Sequence, residues 1–401
     1  MIRLLLVLSL FSPWALGQKE YFGGPQGRVK RQMNSNSPRW TDGIIFYEIS
    51  EGADAERLKV LKAGMDYIAN RTCIKFVENP SAAQKMHIAM GKGTPCDSLL
   101  GAPGSITSPY GVATLNFGGC SNIISIAVHE FTHSLGSIHE HQRTDRDDFL
   151  WVNQSAIDKL GIQNIFRKWN YGMGTIYVPF DHGSNMAIDV ARYGLQVDQF
   201  GDRIFGALDK EYDYTLGNRR ITYYDIWRIN AFYHCSCPVE LPCRNQGTIN
   251  PSDCKTCFCP KGWFGKLCDQ RQDGSTSLKA IAQWQTKTIN FGFQSTSSNY
   301  RGHYSTYTYI DAPLGRMIQV KVDKMENFAC VPGCNIQGIE IKTRVDNGDR
   351  KITSPILCCN DSRVQSLRNK TFVSGNYPTI IDTYSLWSAD PSTVTISYRY
   401  A

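Results

Sequence analysis

Residues 129–140 read HEFTHSLGSIHE, and the spacing of their three histidines constrains the fold more than any other feature of the sequence. An α-helix advances about 100° per residue, so His129 and His133 would lie together on one face. The opposite face carries an apolar stripe formed by Ile124, Val128, Phe131 and Leu135. His139 can join the first two histidines only if the chain turns after this stripe. Gly136 permits the turn, because a residue without a Cβ reaches positive φ at little cost.

Three neutral imidazoles held together in this way would bind Zn²⁺ and leave its fourth tetrahedral position open to water, as in catalytic zinc sites. Glu130 is then the expected general base, since it can take a proton from the zinc-bound water and pass it to the leaving amine. We therefore predict one Zn²⁺ per chain, bound by His129, His133 and His139. The alternative is a helix with ordinary surface histidines, which the longer HExxHxxGxxH spacing disfavours. The remaining histidines lack this spacing: His87, His141, His182, His234 and His303.

The first 17 residues, MIRLLLVLSLFSPWALG, predict that the protein is secreted. A basic Arg3 and a short apolar run are typical of a signal peptide, and no other segment approaches the length of a membrane span. Outside the cell, the 14 cysteines are expected to form disulfides. A net charge of +7 over 401 residues, without a basic stripe, argues against nucleic-acid binding. Asn-x-Ser/Thr sequons predict glycosylation at Asn70, Asn153, Asn360 and Asn369.

Residues 18–31 read QKEYFGGPQGRVKR and end in an Arg-x-Lys-Arg processing sequence. We predict a short propeptide that is removed after Arg31. An ordinary flexible basic terminus is the open alternative, because such short basic motifs also occur by chance.

The length and the distribution of cysteines predict a multidomain chain. Residues 32–235 combine two helical segments with strand-like segments at 43–50, 73–77, 86–90 and 112–117, which indicates a mixed α and β domain. Six cysteines within residues 236–268 are typical of a small disulfide-stapled module. In residues 269–401, a polar linker precedes a predicted β-sandwich, with alternating strands at 318–322, 339–342 and 394–400.

The stretch HEFTHSLGSIHEHQRTDRDD resembles the astacins, a family of metzincin metallopeptidases with the pattern HExxHxxGFxHExxRxDRD. Only Ser137 departs from this pattern, at a position where the family usually has phenylalanine. The resemblance covers residues 40–235 and implies an α+β metzincin fold with a zinc cofactor. It places Met186 in a methionine turn beneath the zinc ligands, and Glu140 in contact with the new amino terminus, Gln32. It also implies two disulfides, which join Cys73 to Cys235 and Cys96 to Cys120.

The order of the modules resembles that of nematode astacins, with an EGF-like unit at 236–268 followed by a linker and a CUB-like β-sandwich at 269–401. EGF-like pairing would join Cys237 with Cys254, Cys243 with Cys257, and Cys259 with Cys268. A metal bound by the Cys-x-x-Cys-x-Cys run at 254–259 is the open alternative. The CUB-like part has an unusual cysteine spacing that assigns no pairs among Cys330, Cys334, Cys358 and Cys359.

Two departures from the astacin pattern bear on activity and latency. Ile188 stands two residues after Met186, where the family has a tyrosine that donates a hydrogen bond to the oxyanion of the transition state. Losing one such donor lowers rates by roughly 10² to 10³, unless Tyr193 is a displaced equivalent. The segment around Phe22 also lacks the aspartate that blocks zinc in the family's propeptides, so latency by that route is not expected.

These observations predict a secreted zinc-dependent endopeptidase that hydrolyses peptide bonds of extracellular or matrix proteins, slowly if nothing replaces the missing tyrosine. The alternative is an extracellular binding or adhesion protein with a weak or inactive zinc domain, whose EGF-like and CUB-like modules carry the function. Intact Glu130 favours the enzyme, because a purely structural zinc site has no need of a base beside its water. Ile188 favours the alternative. The sequence identifies neither the substrate nor the cleavage preference.

Overall fold

The computed structural model describes residues 33, 37–104, 111–169, 178–188, 203–292, 301–343, 349–359, 367 and 370–401. Several sequence predictions lie outside these residues, namely the signal peptide, the propeptide, Gln32, Tyr193, Asn360 and Asn369. No helix within the described residues is long and apolar enough to span a membrane. The fold is multidomain, as predicted, with an α+β domain, a small disulfide-rich module and an all-β sandwich.

The first lobe of the α+β domain contains a five-stranded sheet. Its strands are β1 (Ile44–Ile49), β2 (Lys75–Glu78), β3 (Lys85–Ala89), β4 (Asp97–Ser98) and β5 (Val112–Asn116). The spatial order is β2-β1-β3-β5-β4, with β4 antiparallel to β5 at one edge and the other neighbours parallel. Sequence reasoning missed β4, because a two-residue strand leaves no pattern of alternation.

Two helices, α1 (Ala55–Ala69) and α2 (Ile124–Ser134), pack against each other in this lobe. Asp54 begins α1, and its side chain accepts hydrogen bonds from backbone N–H groups of the first turn. The helices approach closely at Gly64, where an added Cβ would lie 2.6 Å from the Cβ of Ala127. The predicted apolar stripe of α2 is buried at Ile124, Val128, Phe131 and Leu135. This packing fixes the helix while its other face carries the histidines.

The second lobe pairs β6 (Leu150–Val152) with β7 (Phe205–Ala207) and adds the helices α3 (Gln154–Leu160), α4 (Gln163–Phe166) and α5 (Tyr223–Phe232). Thr222 and Asp225 form a capping box that begins α5. Two disulfides close the domain, and they are the pairs that the astacin resemblance implies: Cys73 with Cys235 and Cys96 with Cys120.

Residues 237–268 form a small module with a two-stranded sheet of β8 (Thr248–Ile249) and β9 (Cys257–Phe258). Its three disulfides have the EGF-like pairing, which joins Cys237 to Cys254, Cys243 to Cys257 and Cys259 to Cys268. All three cysteines of the 254–259 run are therefore in disulfides. The alternative of a metal bound by that run is wrong, because the thiolates that would bind a metal are not available.

The last part of the chain is a β-sandwich with the strands β10 (Thr276–Lys279), β11 (Gln285–Phe291), β12 (His303–Asp311), β13 (Ile318–Glu326), β14 (Gln337–Ile341), β15 (Ile356–Leu357), β16 (Phe372–Ser374), β17 (Thr379–Leu386) and β18 (Ser392–Tyr400). One sheet has the order β10-β12-β17-β14-β15 and the other β11-β18-β13-β16. Both sheets contribute to one apolar core. Two disulfides that the sequence left unassigned join Cys330 to Cys359 and Cys334 to Cys358.

The sandwich packs directly against the second lobe of the α+β domain. We call the shared apolar cluster the junction core; it includes Phe180, Ile188, Leu216, Cys334, Ile356, Cys358 and Tyr384. Beside this core, the Nη2 atom of Arg220 lies 2.6 Å from the Oδ2 atom of Asp382, and both residues are buried. The two domains are therefore joined by apolar packing and by a buried ion pair.

The disulfides should differ in their contribution to stability according to the loops they close. A chain-entropy estimate gives about 5 kcal/mol for Cys73–Cys235, which are 162 residues apart, and about 3 kcal/mol for Cys259–Cys268, which are 9 apart. We expect the double variant Cys73→Ala/Cys235→Ala to unfold at lower urea concentration than Cys259→Ala/Cys268→Ala. Equal unfolding midpoints, followed by intrinsic fluorescence, would contradict this estimate.

Candidate metal centre

The three predicted ligands meet at one point. His129 and His133 lie one turn apart on α2, which ends at Ser134. Gly136 then turns the chain with φ at 99°, and its N–H donates to the carbonyl of His133 at 2.8 Å. The Nε2 atom of His133 lies 3.1 Å from the Nε2 atom of His129 and 3.1 Å from that of His139. The turn predicted from the glycine thus brings the third histidine to the first two.

Backbone carbonyls orient the first two imidazoles through their other ring nitrogen. The Nδ1 atom of His129 lies 2.7 Å from the carbonyl oxygen of Asn185, and that of His133 lies 2.8 Å from the carbonyl oxygen of Ser137. Because a carbonyl oxygen only accepts hydrogen bonds, both Nδ1 atoms carry the proton. Both Nε2 atoms therefore present lone pairs to the shared point, as metal-binding histidines do.

The protonation state and the spacing of the triad also fit zinc. Burial is the main reason that the pKa of His129 and of His133 falls to about 3, and it holds the pKa of His139 well below its usual range. The imidazoles are therefore neutral at physiological pH, which is the form that binds metals. Two nitrogens about 2.0 to 2.1 Å from a tetrahedral zinc ion lie about 3.3 Å apart. The donors match Zn²⁺ in type, number and spacing.

Glu130 is 5% exposed, and its Oε2 atom has no hydrogen-bond partner among the described residues. Its Oε1 atom lies 3.5 Å from Sγ of Cys96, which is in a disulfide with Cys120 and so is not available to a metal. Burial raises the pKa of Glu130 to about 8, with a further rise from Asp97, whereas Arg219 lowers it. A divalent cation bound nearby would favour the carboxylate, the form that accepts a proton.

The methionine turn, residues 181–188, contacts residues 129–140, which we call the zinc motif, through its backbone. The carbonyl of Asn185 accepts from one ring of the triad, and that of Met186 accepts from the N–H of Glu140 at 2.8 Å. Met186 itself is fully buried. Asp225 holds the turn from α5, since its two oxygens accept from a serine hydroxyl of the turn at 2.5 Å and from a backbone N–H at 2.8 Å.

Glu140 lies at the centre of a buried ionic network. It is 1% exposed, and its oxygens lie 2.8 Å from Nη1 of Arg143 and 3.6 Å from Nη1 of Arg228. Arg228 also contacts Asp225 at 2.7 Å. Sequence reasoning missed Arg228 and Asp225 as supports of the site. The threonine and aspartate of the capping box were a signal for Asp225, whereas no sequence pattern distinguishes Arg228 from other arginines.

The chain near the predicted processing point also reaches the site. Met33 is fully buried, and its backbone pairs with that of Ser137 in the loop before the third ligand. The contact predicted between Glu140 and Gln32 lies outside the described residues.

Ile188, which we predict to replace the family's tyrosine, is 7% exposed and belongs to the junction core. Tyr193, the suggested substitute, lies outside the described residues. Arg219, which sequence reasoning missed, is a partly exposed cation whose charge lowers the pKa of both His129 and Glu130.

Other predicted residues lie at the edge of the site or away from it. The ring of His141 is 5.2 Å from that of His139, but its Nε2 atom lies 2.9 Å from the carbonyl oxygen of Ile165. Among the sequons, Asn70 is exposed, whereas the side chain of Asn153 caps α3.

Known proteins share the sequence pattern of this chain over much of its length. The sequence pattern of the "Astacin" peptidase family matches residues 32–234. "Zinc metalloproteinase nas-24" from Caenorhabditis elegans is 41% identical over 381 residues, which cover 94% of this chain and 90% of the relative. "Zinc metalloproteinase nas-19" from the same organism is 39% identical over 375 residues, 93% and 89% of the two chains. The solved structure of the hatching enzyme "High choriolytic enzyme 1" from Oryzias latipes is 25% identical, covers 50% of this chain and 94% of that one, and has a TM-score of 0.39.

The sequence similarity to known proteins and the geometry of the three histidines indicate the same family. Relatives align with this chain over nearly its whole length, and the family pattern spans the five-stranded sheet, the triad and α5, the closing helix of the domain. The residues of the zinc motif occupy positions that fit the metal. The chain belongs to the astacin family of zinc metalloendopeptidases.

Proposed function

We propose that the chain is a secreted endopeptidase that hydrolyses peptide bonds of extracellular proteins, with one zinc ion held by His129, His133 and His139. The observation that carries the proposal is the convergence of three Nε2 atoms, two of them 3.1 Å from the central one. Glu130 adds a buried carboxylate oxygen without a partner among the described residues. Secretion is supported by the pairing of all 14 cysteines in disulfides.

The residues of the site have separate roles in hydrolysis. Bound zinc would supply a Lewis acid that polarises the substrate carbonyl and makes a coordinated water acidic. Glu130 accepts a proton from the attacking water and delivers it to the leaving amine. The carbonyls of Asn185 and Ser137 keep two Nδ1 atoms protonated and so keep the Nε2 lone pairs directed at the metal.

Catalysis by this site should be slow, because transition-state stabilisation is incomplete. An oxyanion needs a donor aimed at the developing negative charge. Ile188 has none, and it packs in the junction core. Water activation, by contrast, needs only the metal and Glu130.

The wider organisation is also part of the proposal. Residues 1–17 would be the signal peptide, 18–31 the propeptide, 32–235 the peptidase domain, 236–268 the EGF-like module, and 269–401 the linker and CUB-like sandwich. The EGF-like and CUB-like modules would place the enzyme on extracellular or matrix proteins. Asn70 and Asn153 would carry glycans, as would Asn360 and Asn369.

A second candidate function is extracellular binding or adhesion by a catalytically weak or inactive member of the family. The apolar Ile188 is the observation that favours it. The two functions differ in whether Glu130 matters, because a binding protein has no use for a general base beside the metal.

Metal content and peptidase activity should separate the roles of the triad and of Glu130. We expect the protein processed after Arg31 to contain about one zinc per chain and to cleave a broad peptide library. Glu130→Ala should keep the metal and lose cleavage, whereas His139→Ala should lose most of the zinc, with His87→Ala as the control that retains both. Wild-type cleavage no faster than that of Glu130→Ala would favour the binding protein. Full zinc occupancy in His139→Ala would contradict the assignment of His139 as the third ligand.

The missing oxyanion donor can be tested by restoring it. We expect Ile188→Tyr to raise kcat by about 10- to 1,000-fold with little change in KM, because the new bond forms only in the transition state. Ile188→Phe introduces a side chain of nearly the same size as tyrosine but without the hydroxyl, so it should not raise kcat. Both changes overpack the junction core and should lower stability by about 1 to 3 kcal/mol. Equal kcat in both variants would refute the oxyanion argument. If Tyr193 fills the role, Tyr193→Phe should instead be the damaging change.

A further inference from the structure

The CUB-like sandwich touches the methionine turn at Gly183. A Cβ added to Gly183 would lie 2.5 Å from both Cγ2 and Oγ1 of Thr353, a residue of the sandwich that is 6% exposed. The φ of Gly183 is not positive. Space, and not backbone conformation, therefore requires glycine at this position. The side chain of Thr353 lies directly against the backbone of the turn.

Hydrogen bonds connect the chain on both sides of Gly183 to the zinc motif. On one side, the N–H of Gly183 donates to Asp181 Oδ1 at 3.0 Å, and the N–H of Asp181 donates to Glu140 at 3.1 Å. On the other side, the carbonyl of Asn185, two residues along, accepts from the ring of His129 at 2.7 Å. A displacement of Gly183 would therefore shift the group that orients a zinc ligand.

Two contacts with the α+β domain fix the position of the sandwich beside this turn. Arg220, which precedes α5, pairs with Asp382 of the sandwich at 2.6 Å. The Oγ1 atom of Thr215 accepts from the N–H of Ile356 at 2.9 Å, and this bond lies three residues from Thr353. These contacts come from the stretch before the closing helix, so the sandwich is anchored independently of Gly183. Because the sandwich is anchored in this way, the side chain of Thr353 can limit the position of the turn.

We propose that Thr353 is a positioning residue for the zinc centre, and that the CUB-like sandwich, through its contact with Gly183, sets the carbonyl that orients His129. Groups that orient metal ligands from outside the first coordination layer influence metal affinity strongly. The sandwich is thus part of the metal centre in addition to any role in binding partners. This inference rests on zinc binding by the triad, the proposed function of these histidines.

The test compares zinc affinity in full-length variants by competition with a chelator, so that it does not depend on peptidase activity. We expect Gly183→Ala to weaken zinc binding about tenfold, because the new Cβ displaces the turn from Thr353. Thr353→Gly in the same chain removes the obstructing atoms, together with the hydrogen bond between Thr353 and Asp181, and should raise the affinity to that of Thr353→Gly alone. Gly91→Ala is the matched control, since no atom lies within 4 Å of its added Cβ, and it should bind as wild type does.

Three results would overturn the inference while leaving the proposed function intact. Gly183→Ala with wild-type affinity would show that the contact does not reach the metal, and a double variant as weak as Gly183→Ala would show that Thr353 is not its cause. If Gly183→Ala does not fold, Thr353→Gly alone decides: weakened binding supports the positioning role and unchanged binding refutes it. A wild-type chain that binds no zinc would instead overturn the proposed function as well.

Discussion

The buried ionic network around Glu140 is the interaction on which the rest of the active centre depends. Its carboxylate meets Arg228, which in turn meets Asp225, and all three side chains are almost completely buried. Charges removed from water are tolerated only when each one is paired, and leaving a partner unpaired typically costs about 3 to 5 kcal/mol. The network therefore requires the zinc motif, the methionine turn and the closing helix to come together in a single arrangement.

The consequence for the metal centre is rigidity. Asp225 bonds the turn, and the turn supplies the carbonyl that orients His129. Desolvation lowers the pKa of the three imidazoles and keeps them neutral, and the orientation of two of them is set by backbone carbonyls, which only accept hydrogen bonds. Ligands that are neutral and already aligned lose little freedom when a cation binds. The centre is thus prepared for its metal by the protein's own hydrogen bonds.

The junction core gives a physical context for Ile188, the residue that we propose to replace the family's tyrosine. A tyrosine whose hydroxyl serves catalysis must have one polar end near the substrate. In this chain the corresponding residue, Ile188, is buried together with Tyr384 and the cystines of the sandwich. An aliphatic side chain suits such a dry environment, because a buried hydroxyl without a partner is unfavourable. Ile188 thus belongs to the same apolar cluster as residues of the CUB-like sandwich.

The sequence by itself determined the parts of this protein that depend on local geometry. Helical periodicity and one glycine were sufficient to bring His129, His133 and His139 together, because consecutive histidines are only four and six residues apart, each less than two turns of helix. Strand alternation indicated four of the five strands of the first sheet but only three of the nine strands of the sandwich. The resemblance to astacins implied five disulfide pairs that the structure also has. Only the tertiary structure decided what supports these residues. Arg220 meets Asp382 across 162 residues, and Asn185 meets His129 across 56. Such contacts leave no periodic trace in the sequence, since they arise from burial and charge pairing between segments that meet only when the whole chain has folded.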